Sequence, residues 1–121
     1  GMYEKLDRSG DGTLGYRVRD EISEADLEKI VRDLDVAIAE QGEVDLLVHV
    51  ESFPKPELDA LEEDLAFWRE HGDDIGRYAV VADSTLLKWA TKLGDKATEA
   101  DVRYFEAADI EDAWNWVDGD A

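Results

Sequence analysis

Val44-Asp45-Leu46-Leu47-Val48-His49-Val50-Glu51 is the stretch on which the fold turns. Val44, Leu46, Val48 and Val50 alternate with Asp45, Leu47, His49 and Glu51, the period of a strand whose two faces differ in polarity. Upstream, Leu27, Ile30, Val31, Leu34 and Ile38 recur at helical intervals, and Gly42 closes that helix. The helix opens at Ser23-Glu24-Ala25-Asp26, which has capping-box spacing. Before it, residues 3–8 and 13–19 form short alternating runs around Ser9-Gly10-Asp11-Gly12, which reads as a hairpin turn. That turn is too short and wrongly placed for a phosphate loop, and Asp7 with Asp11 lacks the twelve-residue calcium pattern.

Downstream, Pro54 and Pro56 interrupt the chain, and Pro56 is placed to open a helix with Leu58, Leu61, Leu65 and Trp68 on its stripe, ended by Gly72. Residues 75–82 form the next strand. Asp83 or Ser84 then caps a short helix carrying Leu86, Leu87, Ala90 and Leu93. Residues 102–105 make the last strand, and Asp109 with Asp112 is spaced to cap a terminal helix bearing Ile110, Ala113, Trp114 and Val117. The order ββαβαβαβα predicts an α/β domain over residues 2–118: a five-stranded, mostly parallel sheet with an antiparallel first strand and about four helices. Gly1 before Met2 reads as a remnant of tag removal. Residues 13–19 also alternate, Leu14, Tyr16 and Val18 against Gly15, Arg17 and Arg19. A sheet covered on both faces carries continuous apolar runs, so the alternation predicts helices mainly on one face and a partly open second face.

Composition excludes several classes of function. Asp and Glu number 32 against 13 Lys and Arg, a net charge of −19, while 44% of residues are hydrophobic. The acids are spread along the chain, which describes a folded domain with an acidic skin rather than a disordered tail. Nucleic-acid binding is disfavoured, because phosphate contacts need clustered Lys and Arg. An even acidic coat fits a salt-filled cytoplasm such as that of a halophilic archaeon, where charge repulsion is screened. Without cysteine there is no disulfide framework or thiolate chemistry, and two histidines, His49 and His71, do not make a multi-histidine metal site. No apolar run approaches the ~18 residues of a membrane span. The sequence therefore calls for no cofactor, no metal and a cytoplasmic location.

The chain resembles the SpoIIAA-like group within the STAS-like fold. The residues that carry the resemblance are Gly15-Tyr16-Arg17-Val18, Asp45-Leu46-Leu47-Val48-His49-Val50-Glu51, Leu65-Ala66-Phe67-Trp68 and Tyr78-Ala79-Val80-Val81-Ala82-Asp83, with Trp89-Ala90-Thr91-Lys92-Leu93 and Val102-Arg103-Tyr104-Phe105. The resemblance implies the fold more than an activity. Better-known STAS domains switch on a phosphorylated hydroxyl at the helix after the third strand, in a motif similar to Asp-Ser-Ser-Gly. Here that stretch is Phe53-Pro54-Lys55-Pro56-Glu57-Leu58-Asp59, without a hydroxyl, and Ser52 lies on the strand exit, so no phosphosite is expected. Comparison of this group with the CRAL-TRIO lipid-carrier fold implies an apolar ligand.

Among residues able to do chemistry, His49, Glu51, Asp83 and Ser84 fall at carboxyl ends of strands, where open α/β sheets bind ligands. A Ser84–His49–carboxylate triad lacks the Gly-x-Ser-x-Gly elbow, and helix capping accounts for Asp83-Ser84. Arg8, Arg17, Arg19, Arg77 and Arg103 all map to strands. They read either as cross-strand partners of Glu4, Asp45 or Glu51, or as a pocket for an anion on the open face. Trp68 and Trp114 sit on core stripes, whereas Phe67, Trp89 and Trp116 point off them, as core or as an interaction surface. The reading is a non-enzymatic binding or interaction module that takes a small lipid-like ligand or a protein partner. Its surface is the helix pair 57–71 and 84–93 or the adjacent rim: Phe67, Trp68, Trp89, His49, Arg17 and Arg19. The alternative is a self-associating, homodimeric regulatory module with no small ligand and no phosphoswitch.

Overall fold

The computed structural model describes residues 3–5, 12–19, 24–51, 66, 69–85, 87–88 and 101–119. Its elements are β1 (Tyr3–Lys5), β2 (Thr13–Val18), α1 (Glu24–Gln41), β3 (Val44–Val50), β4 (Ile75–Ala82), β5 (Asp101–Glu106) and α2 (Ile110–Val117). Short 3-10 turns, Gly72–Asp74 and Ala107–Asp109, lead into β4 and α2. The strands form one sheet in the order β1-β2-β3-β4-β5. β1 runs antiparallel to β2, and the pairs β2–β3, β3–β4 and β4–β5 are parallel. The expected hairpin turn at 9–12, the Pro54–Pro56 break and most of the helix pair 57–71 and 84–93 lie outside the described residues; residues 69–71 and 84–85 are helical.

α1 covers one face. Leu14 and Tyr16 of β2, Val44 and Leu46 of β3 and Ile75 of β4 are buried with Leu34, and Ile30, Val31, Ala37 and Ile38 pack against them. This is the stripe read from the sequence. Gly42 ends the helix in the left-handed region at φ 84° and donates its N–H to the Ile38 carbonyl at 2.7 Å, the αL cap that glycine adopts without a Cβ penalty.

The second face is covered across its middle and accessible at its rim. α2 lies across it and buries Leu47, Ala79 and Val81 beneath Ala113, Trp114, Trp116 and Val117. The reading of a partly open face underestimated this cover, because the outward positions of β2 and β3, Gly15, Asp45 and His49, look like solvent positions. Gly15 is instead a seat for the Trp114 ring, which occupies the space where a Cβ would stand. Trp116, read as off-stripe, is 5% exposed. The expected cap is also absent: Asp109 makes no side-chain cap hydrogen bond, and the preceding 3-10 turn bonds Ile110 N–H to the Ala107 carbonyl.

Gly15→Ala should therefore destabilise the fold by about 1–3 kcal/mol in urea unfolding, since the added methyl meets a ring with nowhere to relax. Combining it with Trp114→Leu should recover part of that loss relative to the single substitutions added together. A Gly15→Ala protein as stable as the parent would show that the ring is not seated there.

Candidate functional site

The carboxyl ends of β2 and β3 bring Arg17, His49 and Glu51 together. Arg17 stands directly opposite His49 in the parallel register, and Glu51 follows two residues on, pointing to the same side. Glu51 is positioned by the ladder continuing past Val50, with its N–H donated to the Val18 carbonyl at 2.9 Å. Its carboxylate lies 3.6 Å from Arg17 Nε, with side chains 40% and 36% exposed for Arg17 and Glu51. A pair this long and this wet contributes little to stability. It does bring a guanidinium and a carboxylate to the same strand ends as the half-buried imidazole. Burial pushes the His49 imidazole below its ordinary value, helped by the Arg17 charge and opposed by Glu51.

The other predicted residues scatter. Arg19 is exposed one residue beyond β2, on the same rim. Phe67, Trp68 and Trp89 lie outside the described residues, as does Arg8. Arg77 and Arg103 do not line an anion pocket. Both guanidiniums lie over Trp116, at 5.4 and 4.8 Å from its centroid, and Phe105 tilts against the same ring at 6.0 Å. Arg77 Nη1 also donates to the Trp116 carbonyl, one of the carbonyls a helix leaves unsatisfied at its carboxyl end. Gly119, at φ 85°, donates to that carbonyl at 3.1 Å. Arg77 thus serves the negative end of a helix dipole, a setting that disfavours anions, while Arg103 lies over the ring. Ser84 Oγ donates to Glu106 at 2.6 Å, so its hydroxyl is engaged away from His49. Glu106 was not singled out from the sequence, because its link to Ser84 spans two strands' ends.

A second histidine cluster ties α1 to the start of β4. His71 Nε2 lies 3.1 Å from Asp35, and Nδ1 lies 3.2 Å from Asp74. Among the described residues no group of three or more side chains forms a metal site, and no helix is long and apolar enough to cross a membrane.

A profile of the SpoIIAA-like family matches residues 13–118, which takes in β2 through α2 and therefore both faces of the sheet. The chain belongs to the SpoIIAA-like family. A solved relative of this SpoIIAA-like protein is an uncharacterised member of the DUF3478 family from Shewanella loihica PV-4, described as having a SpoIIAA-like fold. The two share 25% identity with a TM-score of 0.75, over 96% of this chain and 93% of that one. No curated protein matches the chain.

The electrostatics of the rim predict an ordered set of NMR titrations. His49 should titrate below 6.5, Glu51→Gln should lower its midpoint further, and Arg17→Met should raise it. Because the folded state holds the neutral form, the contribution of His49 to stability is complete above about 6.5 and is lost as the pH falls through the lowered value. A midpoint above 6.5, or shifts of opposite sign, would contradict this arrangement.

Proposed function

We propose that this SpoIIAA-like protein is a non-enzymatic binding module that takes a small amphipathic ligand or a partner segment at the carboxyl rim of its sheet. Arg17, His49 and Arg19 supply the polar contacts in this reading, and Phe67, Trp68 and Trp89, the aromatics singled out in the sequence, supply the apolar ones. One observation supports it above the others. α2 occupies the middle of the second face, while the accessible polar groups of β2 and β3 collect at the strand ends, where open α/β sheets receive ligands. A half-buried imidazole beside a solvated guanidinium provides a neutral hydrogen-bonding group next to a cation, suited to an anionic head group.

Titration of the isotope-labelled protein with C8–C16 fatty acids tests the reading. Saturable shifts at Arg17, His49 and Glu51, weakened about threefold or more by Arg17→Met, are the expected result. Light scattering of the same samples addresses the alternative of a self-associating regulatory module. A stable dimer with no ligand-induced shifts would favour that alternative, and neither response would remove both.

We propose, too, that the acidic skin suits a salt-rich cytoplasm. With a net charge of −19, the folded state repels itself in dilute buffer and is relieved when salt shortens the Debye length to about 3 Å at 1 M. Raising potassium chloride from dilute buffer to 2 M should lift Tm by more than about 5 °C. A Tm that does not change would break the link between the acidic skin and a salt-rich cytoplasm.

A further inference from the structure

β5 pairs with β4 along its whole length, from Arg77 opposite Asp101 to Ala82 opposite Glu106, with no break in register. It is the last strand in the order, and among the described residues no strand follows it. Its outer edge therefore presents a regular row of backbone donors and acceptors, with no proline or bulge to blunt it. Two charged side chains near its start share one face. Arg103 is exposed and lies over the Trp116 ring, 4.8 Å from its centroid, which places it on the α2 side of the sheet. Asp101, also exposed, is two residues away and so on the same side. Arg77, the neighbour of Asp101 in the register, is turned to the Trp116 carbonyl instead. Neither Asp101 nor Arg103 forms an ion pair with a described residue, in a chain with 32 acids. An arginine already laid on a ring loses less freedom on pairing than a loose one, which favours such a group at an interface.

We propose that β5 pairs with β5 of a second copy of this chain, antiparallel about a two-fold axis at Val102, joining two five-stranded sheets into one. Symmetry leaves few registers. A two-fold axis normal to the sheet keeps the α2 sides of both copies together, so residues that stand opposite must share a face. An axis at Asp101 or Arg103 sets like charges directly opposite, which is destabilising. An axis at Tyr104 or beyond puts the residue opposite Asp101 past the end of β5 and leaves Asp101 without a cation. An axis at Val102 sets Asp101 of each copy opposite Arg103 of the other, and Val102 opposite Val102. Both charges are then answered twice, and the main-chain ladder adds the hydrogen bonds of strand addition. The rim of Arg17 and His49 lies on β2 and β3, with β4 between, so this pairing leaves it open.

Sedimentation equilibrium of the whole protein tests the pairing at about 0.5 M potassium chloride. There a Debye length of about 4 Å screens two chains of charge −19 from each other but not groups in contact. A reversible dimer is the expected state. Asp101→Arg should weaken it about tenfold or more, and adding Arg103→Asp, which exchanges the charges across the axis, should restore it to within about threefold of the parent. The chain has no cysteine, so a single Val102→Cys gives a second readout. Mild oxidation should link it to its own copy, because opposite Cβ atoms stand about 4.5–5.5 Å apart, whereas Tyr104→Cys should stay unlinked. The cysteine arm leaves Arg103 intact and so decides the matter if Arg103→Asp unsettles the Trp116 ring. A protein that stays monomeric at millimolar concentration would overturn the proposal. So would a dimer indifferent to Asp101→Arg, a folded double variant as weak as Asp101→Arg alone, or linkage through Tyr104→Cys in place of Val102→Cys.

Discussion

The seating of Trp114 on Gly15 is the contact on which the second half of this fold depends. A ring can lie against a strand backbone only where no Cβ stands in the way, and β2 provides that gap on the face opposite α1. With Trp114 seated over β2, the eight residues of α2 reach across the sheet, and Trp116 extends to β4 and β5 on the far side. Leu47, Ala79 and Val81 fall to zero exposure in consequence. A large aromatic at each flank lets so short a helix close so wide a face, at 3–5 kcal/mol or so for each ring that would be lost.

Charge is distributed with the same economy. In a chain with 13 bases against 32 acids, Arg77 and Arg103 are spent on an aromatic ring and a helix-end carbonyl rather than on carboxylates. That placement follows from the helix dipole, whose negative end falls over the amino-terminal parts of β4 and β5. Arg17 lies toward the other end of the strands, opposite His49 and within reach of Glu51. Arginines of similar sequence context therefore have different partners: Trp116 for Arg77 and Arg103, and Glu51 for Arg17.

Much of the α1 side was legible beforehand, because its signals are local. The stripe from Leu27 to Ile38, the stop at Gly42 and the alternation of residues 44–51 each specify an element and the side it buries. The α2 side was not, because its signals are relational. Gly15 reads as a solvent position until Trp114 is placed above it, and Trp116 reads as an off-stripe aromatic until β5 lies beneath it. The alternation of β2 and β3 separates their two sides correctly, yet small and polar residues are found both under a helix and under water. His49 and Glu51 were found by a general rule about strand ends, and Arg17 as a strand arginine. Their association was not, since it needs the register that sets Arg17 opposite His49.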